Sequence, residues 1–138
     1  MTDADLIAKK LAFIETCVRE LREIARPERI GQDLREERFI AHTLQLAIQA
    51  TLDVASHIVS DRRLGEPATN RQLFELLARD GWLTTGLAPA LGKMAGFRNI
   101  LVHGYQDVDN AILRDVAEHR LEDLLSFVKV IRGRLSDI

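Results

Sequence analysis

Apolar residues recur along the first part of the chain with the spacing of one helical face. They follow one another in steps of 4, 3, 4 and 3 residues, at Ile7, Leu11, Ile14, Val18 and Leu21. This spacing predicts a long first helix, which we expect to end at Arg26-Pro27 because the residue before a proline disfavours helical backbone angles. The same rhythm predicts a second long helix over about Leu34 to Ser60, antiparallel to the first.

Thr69 and Gln72 mark the start of a third helix after the loop sequence "DRRLGEP". Their spacing is that of a capping box, in which the threonine side chain accepts a hydrogen bond from the backbone amide three residues later. We expect this short helix to run to about Arg79, where "DGW" interrupts the pattern. A fourth helix is predicted from about Gly86 to Val102.

Asp109 is a suitable N-cap for a final helix. The apolar residues of that helix continue in steps of three or four from Leu113 to Leu135, so a single helix is expected there. The chain lacks strand-like alternation, internal repeats and low-complexity segments. We therefore predict an all-α fold, a dimeric bundle of about five helices with two long antiparallel helices, forming a single domain over residues 1–138.

Small residues are concentrated in the predicted fourth helix, which contains the interior glycines Gly92 and Gly96. An interior glycine costs a helix about 1 kcal/mol relative to alanine, so its presence indicates a packing reason. Small residues allow another helix to approach closely, a rule established for membrane helices and used here by analogy. The pattern fits two alternatives, a tight contact inside the bundle and a contact between two copies of the chain.

Charge and composition restrict the classes of function. The formal net charge of -2 argues against nucleic-acid binding by a generally basic surface, although a local basic site is compatible with it. The single cysteine, Cys17, lies among apolar residues and is expected to be a buried small hydrophobe in a reduced compartment. No apolar run approaches the roughly 20 residues that span a bilayer, and "MTDADLIAKK" lacks a basic leader, so we expect a cytoplasmic protein without membrane contact.

The stretch "MAGFRNILVHGY", from Met94 to Tyr105, brings several functional side chains to the end of the predicted fourth helix. On an uninterrupted helix Arg98 and His103 would lie about 140° apart and would not converge. Because Gly104 tolerates the left-handed backbone that ends helices, His103 is expected at the helix end, where it can turn back or meet another chain. With Asn99, these side chains could bind a phosphate through guanidinium, amide and imidazole groups.

This set of side chains suits RNA cleavage, because the 2′-hydroxyl of RNA supplies the nucleophile. The reaction then needs a base, a cation beside the phosphate oxygens and an acid for the leaving oxygen, but no metal ion. The four histidines lack metal-binding spacing and an accompanying acidic cluster, and no cofactor is predicted. The spacing alone also fits an alternative in which an arginine and a histidine complement the dipole at a helix C-terminus.

The segment "RNILVHGY" resembles the R-x4-H-x-Y motif of the HEPN superfamily, in particular of the HepT-like toxins that are paired with minimal nucleotidyltransferase (MNT) antitoxins. The similarity extends over most of the chain, through "LQLAIQATLDVASHI", "PATNRQLFELLARDGWL" and "LAPALGKMAGFRNILVHGY" in the order and spacing of the family. The motif itself shows no departure from the family pattern.

The resemblance implies a metal-independent RNA endonuclease, the toxin of a type II/VII-like toxin–antitoxin system. It implies that Arg98 and His103 are catalytic, that Asn99 is their polar neighbour, and that a homodimer brings two motifs to one RNA cleft. It also implies that the MNT antitoxin silences the toxin by transferring AMP to Tyr105. From its position in the sequence alone, Tyr105 would be interpreted as a packing residue. The alternative is a non-catalytic HEPN interaction module that binds a nucleotidyltransferase and is modified by it.

Asp53 and His57 lie four residues apart on the predicted second helix and can face each other as a hydrogen-bonded pair. Two interpretations of the pair stay open. The first is an ordinary polar contact on or within the bundle, and the second is support that orients the motif residues.

Overall fold

Helices make up nearly all of the regular structure in the computed structural model, which describes residues 3–103 and 109–136. They are α1 (Ala4–Glu23), α2 (Leu34–Asp61), α3 (Asn70–Arg79), α4 (Leu87–His103), α5 (Asn110–His119) and α6 (Leu121–Ser136), with a 3-10 turn at Pro27–Arg29. These ranges contain no β-strand, and the predicted all-α fold is confirmed. Within the same ranges, no helix is both long and apolar enough to cross a membrane.

The two long helices α1 and α2 form the predicted antiparallel pair. Each begins after an aspartate whose side chain accepts a hydrogen bond from a first-turn amide, Asp3 for α1 and Asp33 for α2. The Asp3 amide donates to Nε2 of His57 at 3.2 Å, which joins the start of α1 to the end of α2. At the opposite end, the Arg26 amide donates to Glu36 at 2.8 Å. The two helices therefore run in opposite directions along their full length.

The hydrophobic core lies where α1, α2, α4 and α6 meet. Fully buried side chains from these helices and from α3 include Leu11, Leu44, Phe74, Leu91 and Phe127. The rings of Phe74 and Phe127 pack edge to face with their centroids 6.3 Å apart, which joins α3 to α6. Leu11 belongs to the apolar series that predicts the first helix, and burial of apolar surface accounts for the assembly of the bundle.

The final helix differs from the prediction of one continuous element. α5 and α6 meet at Arg120, whose φ of -113° and ψ of 0° are not helical. The Arg120 amide still donates to the Val116 carbonyl at 3.1 Å, and its carbonyl accepts from the Asp123 amide at 3.2 Å. The break allows α5 to pack against the 3-10 turn while α6 packs against α1. Apolar residues on both sides of the break are buried, so the apolar rhythm continues through it.

Ion pairs hold the outer face of α1 against α6. Arg132 donates to both carboxylate oxygens of Glu15, at 2.6 and 3.1 Å, and Arg22 donates to Glu122 at 2.9 Å. The hydrogen bond from Arg132 lowers the pKa of Glu15 below its ordinary value, and the same bond raises the pKa of Arg132. These charged side chains of α1 are therefore paired with side chains of α6.

Candidate functional site

Helix α4 carries the motif towards the end of the bundle at which α2 begins. Before α4, the ring of the buried Trp82 lies 5.7 Å from the guanidinium carbon of Arg62, which caps the C-terminus of α2. After α4, Asn110 lies beside Gly31, where an added Cβ would be 3.8 Å from the Asn110 Nδ2. α4 therefore runs antiparallel to α2, with bounds that differ by one residue at each end from those predicted.

One face of α4 is buried and the opposite face is open. The buried face includes Leu91, Met94, Ala95 and Leu101. The open face is formed by residues in steps of 4, 3 and 4, namely Pro89, Lys93, Gly96 and Ile100. Ile100 is an apolar side chain that is 47% exposed on this face. The fold described therefore leaves small and apolar surface uncovered beside the motif.

The two interior glycines of α4 have different surroundings. A Cβ added at Gly92 would lie 3.0 Å from Cγ and 3.3 Å from Nε of Arg71 on α3, whereas one added at Gly96 would meet no atom of the described residues within 4 Å. Gly92 therefore serves the contact within the bundle, which is the first of the two alternatives. Gly96 has no such contact and leaves room for a second molecule.

Arg98 projects from the core-facing side of α4, because it lies four residues after Met94 and three before Leu101. Its Nη1 donates to Oδ1 of the exposed Asn99 at 3.3 Å. Its Nε is buried and finds no hydrogen-bond acceptor in the described part of the chain. A buried donor without a partner is unfavourable by about 1–3 kcal/mol, so an anion that accepts from this guanidinium would relieve the deficit.

His103 is the last residue of α4 within the described part of the chain. Its side chain, and the whole of Gly104 and Tyr105, lie outside the described residues. The approach of the His103 imidazole to Arg98 and the position of Tyr105 therefore stay predictions from the sequence.

Asp53 and His57 have partners on α1 and α2 instead of the predicted hydrogen bond to each other. Asp53 accepts from Lys10 at 3.1 Å and from Gln49 at 2.8 Å, and His57 accepts from the Asp3 amide. Both side chains line a groove of about 390 Å³ between α1 and α2, to which the described side chains of α4 contribute nothing. Among the described residues, neither side chain hydrogen-bonds to α4. Their role in orienting the motif residues therefore stays a prediction.

Cys17 is 2% exposed and packs in the core, as predicted. Burial, with a smaller contribution from Glu20, raises the pKa of its thiol from 9.0 to about 11. The thiol is therefore protonated near neutral pH and unsuited to nucleophilic chemistry. In residues 3–103 and 109–136, no group of three or more histidine, cysteine or acidic side chains is arranged to hold a metal ion.

A groove of about 430 Å³ between α3 and α4 was not anticipated from the sequence. Its lining includes the cations Arg71, Arg79 and Lys93 and one carboxylate, Glu75. The spacing of four residues between the charged positions of α3 is visible in the sequence, but it is also typical of an ordinary solvated helix face. Only the packing of α3 against α4 brings Lys93 to the same groove.

Comparison with known proteins gives a consistent family. The family model described as Ribonuclease HepT-like matches residues 14–131. The chain is 35% identical over 130 residues to the mRNA nuclease HepT of Shewanella oneidensis, which covers 94% of this chain and 98% of that protein. It is 41% identical over 66 residues to the tRNA nuclease HepT of Aphanizomenon flos-aquae, covering 48% of this chain and 45% of that one.

The solved structures contain the same arrangement of helices. The tri-AMPylated HEPN toxin of Shewanella oneidensis, in complex with an MNT antitoxin, superimposes with a TM-score of 0.86 at 34% identity. The superposition covers 96% of this chain and 99% of that toxin. The likeness therefore extends over most of the helical fold described above.

Proposed function

The chain belongs to the HepT-like ribonuclease family, and on that premise we propose that it is an RNA endonuclease and the toxin of a toxin–antitoxin pair. The relatives named above are nucleases of mRNA and tRNA. The observation that carries the proposal is the half-buried Arg98, whose Nε lacks an acceptor among the described residues and which lies five residues before His103 at the end of α4. RNA phosphate is the anion proposed for this guanidinium.

Cleavage uses the 2′-hydroxyl of the substrate as nucleophile. His103 accepts the proton of that hydroxyl while the 2′ oxygen bonds to the adjacent phosphorus, and Arg98 stabilises the negative charge that develops on the phosphate oxygens. The bond from phosphorus to the 5′ oxygen breaks, and an acid protonates the departing oxygen. The products are a 2′,3′-cyclic phosphate and a free 5′-hydroxyl. Base, cation and acid suffice for these steps, so the proposed reaction is metal-independent.

A homodimer that brings two motifs together is part of the proposal. The support is the part of the open face of α4 nearest the motif, where a Cβ added at Gly96 would have no described atom within 4 Å and Ile100 is 47% exposed. In the dimer, the second copy of His103 can serve as the acid for the leaving oxygen. Light scattering at micromolar concentration should give twice the mass of the chain, and a fully active monomer would remove the shared cleft from the mechanism.

Regulation is proposed to occur at Tyr105, through an MNT-type nucleotidyltransferase antitoxin. The phenol oxygen of Tyr105 attacks the α-phosphorus of ATP, pyrophosphate leaves, and AMP stays bound to the tyrosine. Because Tyr105 follows His103 by two residues, the new phosphate would compete with RNA for Arg98, and the nucleoside would obstruct the site. RNA and ATP are both cytoplasmic, and so is the proposed location of the protein.

The nuclease proposal is tested with purified protein and end-labelled RNA in EDTA. We expect cleavage with cyclic-phosphate ends, and a loss of at least about a hundredfold in Arg98→Ala and in His103→Ala with unchanged circular dichroism. Activity that vanishes in EDTA and returns with Mg²⁺ would contradict metal independence. Intact RNA together with retained antitoxin binding would instead support the non-catalytic interaction module.

The modification proposal is tested by intact-mass spectrometry after incubation with the antitoxin and MgATP. Wild type should gain one or more AMP units, with the first at Tyr105. Tyr105→Phe keeps the ring and removes the acceptor oxygen, so it should gain none and should escape silencing. Equal labelling of the two proteins would return Tyr105 to a packing role.

A further inference from the structure

We propose that the groove between α3 and α4 binds the backbone of the RNA strand beside the cut. This inference rests on the proposed nuclease function and deepens it by giving the strand a path away from the motif. The residues that would hold the phosphates are Arg71 and Arg79 of α3 and Lys93 of α4. The occupant is single-stranded RNA, recognised by its charge and not by its bases.

The charges of the groove favour an anion although the chain as a whole is acidic. In the described part of the chain, the groove of about 430 Å³ is lined by three cationic side chains and one carboxylate, that of Glu75. The whole chain, by contrast, has a formal net charge of -2. Arg71, Arg79 and Lys93 are exposed, and in residues 3–103 and 109–136 none of them forms an ion pair. Their charges are therefore available to an outside ligand.

Gly92 allows Arg71 of α3 to lie close against α4 beside the groove. Because this position has no side chain, the stem of Arg71 lies against α4, with Cγ 3.0 Å and Nε 3.3 Å from the point that a Cβ would occupy. The Arg71 guanidinium is thereby held next to α4, near Lys93. A guanidinium offers forked donors that match phosphate oxygens, and a lysine adds a mobile point charge.

The position of the groove along α4 fits a strand that continues from the motif. Lys93 precedes His103 by ten residues, which corresponds to about 15 Å along the helix. A stacked nucleic-acid strand advances about 3.4 Å per nucleotide, so this length corresponds to about four nucleotides. Among the described residues, no aromatic side chain lines the groove, and base stacking is therefore not expected from them. We infer a sequence-tolerant and salt-dependent contact with one flank of the cut site.

The test compares two double variants with the same change in charge. Arg71→Gln/Lys93→Gln removes two groove cations, and Lys9→Gln/Arg19→Gln removes two exposed cations of α1 as the control. Binding of a fluorescent RNA oligonucleotide is measured by anisotropy in the His103→Ala background, over a series of salt concentrations. The groove variant should bind roughly tenfold more weakly, with a salt slope smaller by about 1.4, because each contact to a single strand contributes about 0.7. The control should bind as the parent does.

Shortened substrates give a second readout in the active protein. Once the cut site is mapped, the oligonucleotide is shortened on either flank to two nucleotides from the cut. Shortening one of the flanks should slow wild type several-fold and leave the groove variant unaffected, because that variant has already lost the contact. Circular dichroism and thermal unfolding check that the variant is folded.

The possible failures are distinguishable. Equal RNA affinity and equal salt slopes in the two double variants would overturn the groove assignment while leaving the nuclease proposal intact. A groove variant that binds RNA normally but no longer binds the antitoxin would make this groove a protein interface, and the assignment would be wrong. A wild-type protein that neither binds nor cleaves RNA would overturn both proposals.

Discussion

Helices α1 and α4 are both long and both contribute to the core, but their polar residues are used differently. On α1, Glu15, Arg22 and Lys10 form ion pairs with α6 or α2. On α4, Lys93 forms no ion pair with any described residue, and the buried Nε of Arg98 has no acceptor there. These three side chains of α1 are thus paired within the fold, whereas the buried Nε of Arg98 on α4 has no partner among the described residues. This difference supports the proposed site at Arg98 on α4.

Replacing Arg98 by methionine should give the largest separation between activity and stability. The variant keeps an unbranched apolar stem and removes the buried donor, so unfolding should require about 1–2 kcal/mol more than in wild type. Cleavage should fall about a thousandfold, because the cation at the phosphate is lost. Urea unfolding and single-turnover cleavage measure the two effects. A clear loss of stability would mean that Arg98 is a structural residue, as the side chains of α1 are.

Leu44→Ala should lower the stability of the fold and leave the activity of the folded protein unchanged. Leu44 lies on α2 and is fully buried in the core, and removing such a side chain costs about 2–5 kcal/mol. The rate of cleavage per folded molecule should be unchanged below the melting transition. A loss of activity without a loss of stability would show that Leu44 of the core also contributes to cleavage, and the contrast between scaffold and α4 would be wrong.

Cys17 provides a pH-dependent test of the scaffold. Its folded pKa of about 11 lies above the ordinary value of 9.0, so the native state keeps a proton that the unfolded chain releases. The stability from this group is fully present below pH 9 and is lost as the pH rises through 11, by about 2 kcal/mol. Denaturant titrations from pH 8 to 11 should show a smaller decline for Cys17→Ala than for wild type. Equal declines would contradict the assigned burial effect.

The smallest predicted effect distinguishes the open face of α4 from an ordinary surface. Gly96 and Gly133 both lie within helices, and a Cβ added at either would have no atom of the described part of the chain within 4 Å. Alanine at either position should stabilise the monomer by up to about 1 kcal/mol through helix propensity. Only Gly96→Ala should weaken the proposed homodimer, as measured by sedimentation. Equal dimer affinities in the two variants would exclude Gly96 from the interface.

The features that the sequence predicts correctly depend on contacts between residues that are close in the chain. The side chain of Thr69 accepts from the Gln72 amide at 3.3 Å, and Asp109 accepts from the Ala111 amide at 2.7 Å, as the capping patterns indicate. The spacing of apolar residues likewise places α2 to within one residue of its observed end. These features depend on residues close in the chain, so a single sequence contains the necessary information.

Features that depend on residues far apart in the chain could not be predicted from the sequence. The spacing of Asp53 and His57 suggests a mutual hydrogen bond, yet the competing partners Lys10 and Asp3 come from α1. The break at Arg120 involves no glycine or proline and leaves the apolar rhythm intact. For the candidate site, the motif was predictable, but the groove depends on how α3 packs against α4. The sequence shows where each cation lies on its helix and not which cations share a groove.

The absent side chain at Gly92 has an evolutionary consequence. Because a Cβ at position 92 would lie only 3.0 Å from Cγ of Arg71, a side chain there would require the arginine to shift, and we expect substitutions at these two positions to be coupled. A lineage that acquires alanine or a larger residue at position 92 would displace the arginine, and selection would then favour a shorter side chain at position 71 or a cation elsewhere on α3. Among relatives of this chain, we expect the two positions to co-vary, and the pair would serve as a heritable marker of whether the groove is retained.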